Sequence, residues 1–335
     1  MTSASGIGSW PGEDVRRAIT VVRDLLGDDG LPYLPELPAR GPGADLVGRA
    51  AALLVDLPVD LQPSGWRLVD RPGRDLQRAR SFLGRDLDEL AEAYDGYTGA
   101  LKVQVGGPWT LASSVWLPRG ERVAVDDGAC RDLVDSLAEG VREHLATVSR
   151  AVPGARLVLQ LDEPALPAAL AGRLPTASGF GRVRPLEPAA AADGLRAVLS
   201  AASDAGARTV VHCCAKDVPL PLLRSAGPDA VALDTTLLGA RGWESVAATV
   251  EAGVELWAGV LQVADDGGDD RAASVKAVVD PVVRAWHDVG LPVAALDRVT
   301  LTPACGLAGA TPHRAEALQR RTLAAARALA ETAAG

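Results

Sequence analysis

Thr209-Val210-Val211-His212-Cys213-Cys214 is a short uncharged run that ends in an imidazole and two thiols. β-Branched side chains favour the pleated, packed surface of a strand, and an apolar run of this length reads as a buried one. Just before it, Leu195, Val198, Leu199 and Ala202 recur at helical spacing, and Gly206 stops that helix. The unit is helix, turn, buried strand, then polar residues at the strand's end. Buried strands fed by helices belong to a parallel sheet covered on its faces.

The alternation continues in both directions. Downstream, Val231-Ala232-Leu233 is a strand ending at Asp234, Trp243 to Ala252 a helix and Val254 to Val260 a strand. An exposed acidic loop, Asp265 to Asp270, precedes a helix through Val278; Val299 to Thr302 is the last strand, ending at Cys305-Gly306, and an Ala-rich helix closes the chain. Upstream, Arg156 to Leu161 is a strand running into Asp162-Glu163-Pro164, where Pro164 is placed to open a helix. Leu133, Leu137, Val141, Leu145 and Val148 mark a long amphipathic helix, and the stretch before it reads as irregular. Ala100 to Val105 alternates as a strand and breaks at Gly106-Gly107-Pro108.

Near the start, Gly6-Ile7-Gly8-Ser9-Trp10-Pro11 reads as a strand and turn, and Val15, Ile19, Val22 and Leu26 as a helix stopped by Gly27. Leu34 to Pro38 is a strand entering a loop, a helix begins near Asp45, Gly65 to Asp70 is a strand and Leu87 to Tyr94 is helical. Roughly eight strand candidates, with no linker and no internal repeat, favour a single (βα)8 barrel domain spanning 1–335 over a doubly wound sheet. Ser9, Glu36, Asp162, His212, Cys214, Asp234 and Cys305 each follow a strand candidate. In a barrel such positions converge on the C-terminal rim, where active sites of this fold lie.

A net charge of −9 and a pI near 5.1 argue against nucleic-acid and anionic-membrane partners. No apolar run approaches the ~20 residues of a membrane span, and the first residues lack the pattern of a secretory signal, so a soluble cytoplasmic protein is expected. Lys and Arg together number 34, and only Lys102, Lys216 and Lys276 are lysines, a skew read as compositional bias. Four Cys in 335 residues do not make a disulfide framework.

Zinc favours four ligands drawn from thiolate, imidazole and carboxylate. Residues i and i+2 of a strand face the same side, so His212 and Cys214 can share a metal while Cys213 faces away. Cys305 sits at another strand end, and Asp234 is the nearest strand-end carboxylate between them. The competing reading is that the cysteines are small buried apolar residues. Two thiolates and an imidazole leave a position open for chemistry, and a thiol arriving there becomes a nucleophile at neutral pH.

Taken together, Ile7-Gly8-Ser9-Trp10-Pro11, Gly107-Pro108-x-Thr110, Gln160-Leu161-Asp162-Glu163-Pro164-Ala165-Leu166, His212-x-Cys214 and Pro303-x-Cys305-Gly306-Leu307 resemble, in order, the catalytic barrel of the cobalamin-independent methionine synthase family. The resemblance implies a (βα)8 barrel of the methionine synthase/uroporphyrinogen decarboxylase type. It implies methyl transfer from 5-methyltetrahydrofolate to the thiol of homocysteine. By resemblance His212, Cys214 and Cys305 bind zinc, Asp162 holds the amino group of homocysteine, Ser9 its carboxylate, and Glu36 contacts the amino acid. A helix cap is the plainer reading for Ser9 and Asp162, and a solvated loop charge for Glu36. Trp116 matches the family's folate-stacking Trp only across a gap; an ordinary rim aromatic is the alternative.

The chain departs from the family pattern in three ways. Asp234 stands where the family has a Glu ligand. The stretch Gly259 to Ala264 lacks the His that protonates the folate leaving group. The chain also resembles the short, core-only members, whose methyl donor differs between proteins. Two other functions stay open: a zinc-dependent alkyltransferase acting on a different thiol, and a non-catalytic relative that binds zinc and homocysteine.

Overall fold

The computed structural model describes residues 2–263 and 274–335; the acidic run 265–270 lies outside them. The strands among the described residues are β1 Ser3–Ala4, β2 Val59–Gln62, β3 Gly65–Leu68, β4 Ala100–Gly106, β5 Arg156–Asp162, β6 Arg208–Cys213, β7 Ala230–Asp234, β8 Glu255–Leu261 and β9 Thr300–Pro303. The α-helices among the described residues are α1 Val15–Leu26, α2 Leu46–Leu53, α3 Arg74–Ala93, α4 Pro108–Ser114, α5 Asp127–Ala151, α6 Leu166–Leu170, α7 Pro188–Asp204, α8 Leu220–Ala226, α9 Ala240–Glu251, α10 Val275–Asp288 and α11 Pro312–Ala334.

Seven strands form one curled parallel sheet in the order β1-β9-β8-β7-β6-β5-β4. Residues 31–36 carry the ring from β4 back to β1 through parallel bridges Tyr33–Lys102, Ser5–Leu31 and Ser9–Glu36. This eighth staves the barrel without a regular ladder because Pro32 and Pro35 have no N–H to give. The amides that remain are used: Leu34 N donates to Lys102 O and Glu36 N to Gly8 O. The fold is a TIM-type (βα)8 barrel.

Strand alternation divides the side chains. Val158, Val210, Ala230, Ala232 and Trp257 pack together with Leu31 inside the barrel, whereas Leu157, Leu159, Leu161, Val211 and Leu233 join the core shared with the helices. On β5 and β6 the inward series continues upward to Gln160, Asp162 and His212, which places polar groups above an apolar floor.

Several expectations are corrected. Gly65 to Leu68 is not a barrel stave: β3 pairs antiparallel with β2, from Val59–Leu68 to Gln62–Gly65. Its burial alternates, Trp66 and Leu68 in and Arg67 half out, as in a sheet with one covered face. The helical piece ending at Tyr94 is the last part of α3, which begins at Arg74. The stretch read as irregular contains α4, started by Pro108. Pro164 does not open a helix; α6 begins at Leu166, with Pro167 in its first turn. No helix among the described residues is long and apolar enough to cross a membrane.

Candidate active site

The polar strand ends meet because the parallel registers align them. Gly106 pairs with Asp162, and Asp162 with His212, across β4, β5 and β6. A cavity of about 280 Å³ opens here, lined by Ser9, Glu36, Asp162, His212, Cys214 and Cys305, with glycines and apolar residues between them. Six of the seven expected site residues therefore share one cavity.

His212 Nδ1 lies 2.6 Å from Asp162 Oδ1, and both side chains are buried. The other ring nitrogen, Nε2, is buried and has no hydrogen-bond partner among the described residues. The thiols of Cys214 and Cys305, from different strand ends, are 3.3 Å apart. The hydrogen bond between them draws the Cys305 thiol down to about 6, helped by His212 and the Gly306 amide, while Cys214 is raised. Cys213 is fully buried on the opposite face, and burial pushes its thiol up to about 12.

Glu36 is 5% exposed, so it is not a solvated loop charge. Arg49 Nε approaches its Oε1 at 3.2 Å. Burial raises the Glu36 carboxyl, and Arg49 opposes that rise. Arg49 Nη1 also donates to Asp86, which Arg40 grips through both oxygens at 2.7 and 2.8 Å. Sequence reading missed this network. Its members lie on four separate segments, residues 31–36, the turn at Arg40, α2 and α3, and nothing in their spacing joins them.

Ser9 does not cap a helix, since Asp14 caps α1. Its Oγ accepts from Ala308 N at 3.4 Å, and a Cβ at residue 306 would lie 2.0 Å from it. Only glycine lets the Cys305-Gly306 turn come so close. Asp162 caps no helix either; the N-cap of α6 is Ala165.

Asp234 stands apart from the cavity lining. Its Oδ1 accepts from Thr236 N and Oγ1 at 3.0 and 2.7 Å, and its Oδ2 from Gln262 Nε2 at 2.9 Å. Among the described residues, no three His, Cys, Asp or Glu side chains are gathered as a metal centre. The donor types that zinc prefers nevertheless line one cavity: a close thiol pair and an imidazole whose Nε2 has no hydrogen-bond partner among the described residues. Trp116 is outside the cavity lining; its ring lies 4.6 Å from the Arg122 guanidinium carbon, and its backbone pairs with β3.

Glu163, next to Asp162, has a different task. Its Oε1 accepts from Trp109 N at 2.9 Å, and its Oε2 from Thr110 N and Oγ1 at 2.8 and 2.7 Å. It satisfies the first amides of α4 from a neighbouring strand end. Burial pushes its carboxyl up to about 7 against those donors.

No protein-family model and no curated protein matches this chain. Among solved structures, a B12-independent methionine synthase from Shewanella sp., in complex with selenomethionine, is similar with a TM-score of 0.50 and 14% identity, over 74% of this chain and 66% of that one. The chain thus spans just under two thirds of that protein. A glycoside hydrolase from Streptomyces cattleya matches with a TM-score of 0.45 at 16% identity, covering 99% of this chain and 80% of its own. The zinc-bound IolI protein matches with a TM-score of 0.39 at 12% identity, over 76% and 84% of the two chains. At 14% identity, what the Shewanella protein shares with this chain is the fold.

Proposed function

We propose that the chain is a zinc-dependent methyltransferase that moves a methyl group to the thiol of homocysteine, forming methionine, from 5-methyltetrahydrofolate or another methyl carrier. The observation that carries this reading is the Cys214–Cys305 thiol pair, 3.3 Å apart, on the same rim as an unpartnered His212 Nε2. In this reading His212, Cys214 and Cys305 hold zinc. Asp234 completes the set if its carboxylate leaves Thr236 and Gln262. A zinc ion so held stabilises the thiolate of an incoming thiol and makes it a nucleophile at neutral pH.

The surrounding residues suit an amino acid. Glu36 and Asp162 offer carboxylates to an ammonium, and Ser9, whose Oγ accepts from Ala308 N, offers its own O–H to a carboxylate. Asp162 also orients the His212 ring. Sulfur attacks the methyl carbon as the bond from that carbon to the carrier breaks, its electron pair staying on the carrier. At the end of β8, Gln262 brings an amide, which is no acid at neutral pH. The nature of the carrier is therefore the open variable. The Shewanella enzyme, whose complex contains a seleno amino acid, makes an amino-acid acceptor the first to test.

The test is methyl transfer to homocysteine by zinc-loaded protein, with mono- and polyglutamyl methylfolate and methylcobalamin as donors. Methionine formation is expected from one of them. Methylation of a non-amino-acid thiol without turnover of homocysteine would move the reading to a different acceptor. Tight zinc and homocysteine binding with no transfer from any donor would leave a binding protein.

A further inference from the structure

The inward series that rises to the candidate site also runs downward. Val158 and Val210 face into the barrel, so Arg156 and Arg208, two residues earlier on β5 and β6, face its N-terminal mouth. On β8 the same step leads from Trp257 to Glu255, and Arg298 arrives just before β9. These residues line a cavity of about 670 Å³ at the end of the barrel opposite the candidate site.

Among the lining residues, three guanidinium groups face a single carboxylate. Arg208 Nη2 lies 2.7 Å from Glu255 Oε2, and Arg298 Nη2 lies 4.0 Å from Glu255 Oε1. Arg156 Nη1 donates to a backbone carbonyl, Thr98 O, at 3.1 Å and has no carboxylate partner among the described residues. The side chains of Arg208 and Arg298 remain 51% and 56% exposed, so these cations are open to a solute. A guanidinium keeps its charge and presents a planar fork that matches carboxylate and phosphate oxygens. The chain as a whole carries −9, so the convergence of positive charge is local and the general field of the protein does not draw anions to it.

A second observation comes from the cavity wall. Trp257 is 2% exposed, and its indole N–H has no hydrogen-bond partner among the described residues. A buried donor left unpaired is costly, and an occupant that only accepts hydrogen bonds suits it. The volume is that of a small-molecule site.

We propose that the N-terminal mouth of the barrel binds a small doubly charged oxyanion, a phosphate monoester or a dicarboxylate, through Arg156, Arg208 and Arg298. Leu31, Val158 and Trp257 form the apolar floor beneath it. By bridging the starts of β5, β6 and β9, the anion stabilises the folded barrel through mass action. The site is independent of the rim and of the methyltransferase reading.

The test titrates inorganic phosphate, and separately succinate, into the protein slightly above neutral pH, with ionic strength held constant by chloride. Binding is read by calorimetry and by the indole N–H resonance of Trp257 in tryptophan-labelled protein, assigned with Trp257→Phe. Saturable binding at a single site, with a shift of that resonance, is expected for at least one anion. Phosphate alone identifies a phosphate monoester as the ligand class, and succinate alone a dicarboxylate. Arg156→Met should weaken binding by about tenfold or more, as the loss of a charge-assisted hydrogen bond implies. Glu255→Gln removes the carboxylate that competes for Arg208 and Arg298, and it should tighten binding several-fold. Arginines that only hold the strand starts together would shift the melting temperature and leave anion affinity alone. The proposal is overturned if neither anion binds saturably, if affinity is unmoved in either folded variant, or if added chloride reproduces the resonance shift.

Discussion

Asp162 Oδ1 accepts from Gln160 Nε2 and from His212 Nδ1, so substitution here touches the imidazole as well as any ligand ammonium. Carboxylates behind metal-binding histidines orient the ring and raise its basicity, and their loss typically lowers metal affinity 10–100-fold. Asp162→Asn is therefore expected to weaken zinc binding by roughly that factor, measured by competition with a chromogenic chelator, and to weaken homocysteine binding too. The sequence alone implied an effect on homocysteine only, because a contact between β5 and β6 is invisible until the register pairs Asp162 with His212. Cys305→Ser should remove most of the bound zinc, since one of two soft ligands is lost. Full metal occupancy in that variant, by elemental analysis, would exclude Cys305 as a ligand.

At the scale of elements, two strings that were legible separately turn out to be one joint. Gly107-Pro108-x-Thr110 starts α4, and Glu163 from the end of β5 receives the amides of Trp109 and Thr110. Gly107 is required by the same closeness, as a Cβ there would lie 2.4 Å from Glu163 Oε1. Glu163→Gln places an NH2 where a donor already points, and a buried group left unpaired costs about 1–3 kcal/mol. Urea unfolding should show a loss of that order, and an unchanged midpoint would mean that the joint is dispensable. The helix itself was missed because seven residues opening with Pro-Trp-Thr carry too few turns for an apolar period to show. A second joint binds α2, α3 and the turn at Arg40 through Arg49, Asp86 and Glu36. Asp86→Ala takes the carboxylate partner from the buried Arg40 guanidinium and leaves Arg49 with Glu36, and breaking a buried ion pair in this way costs about 3–5 kcal/mol. Because Arg49 is held less firmly, homocysteine affinity should fall together with the unfolding midpoint.

Across the whole molecule, the barrel was legible because it rests on repetition: buried strands, helices and polar strand ends recur often enough that single misreadings, such as Gly65 to Leu68, do not change the count that matters. What lies inside the ring was not legible, since each inward layer takes one residue from each of several distant strands. Lys102 shows this most plainly. It was grouped with Lys216 and Lys276 as a trace of composition, yet a lysine inside an apolar strand of so arginine-rich a chain is itself a signal. Its burial has a consequence for the stability of the whole fold. Desolvation pulls the ammonium down to about 7, opposed by Asp162 from β5 and Glu36 from residues 31–36; Gln104 and Gln160 beside it are uncharged. An unfolded lysine keeps its proton to about 10.4. Between those values the unfolded chain holds a proton that the folded chain has released, so this residue makes stability rise with pH across the window; below it both states are protonated and the burial cost is present in full. In Lys102→Met that contribution vanishes, while thiols and tyrosines titrate alike in both proteins. The difference in unfolding free energy, unsubstituted minus variant, should therefore climb by on the order of 3 kcal/mol from pH 7 to pH 10. A difference in urea midpoints that stays flat across that range would mean that Lys102 keeps its proton throughout, with Asp162 and Glu36 outweighing burial.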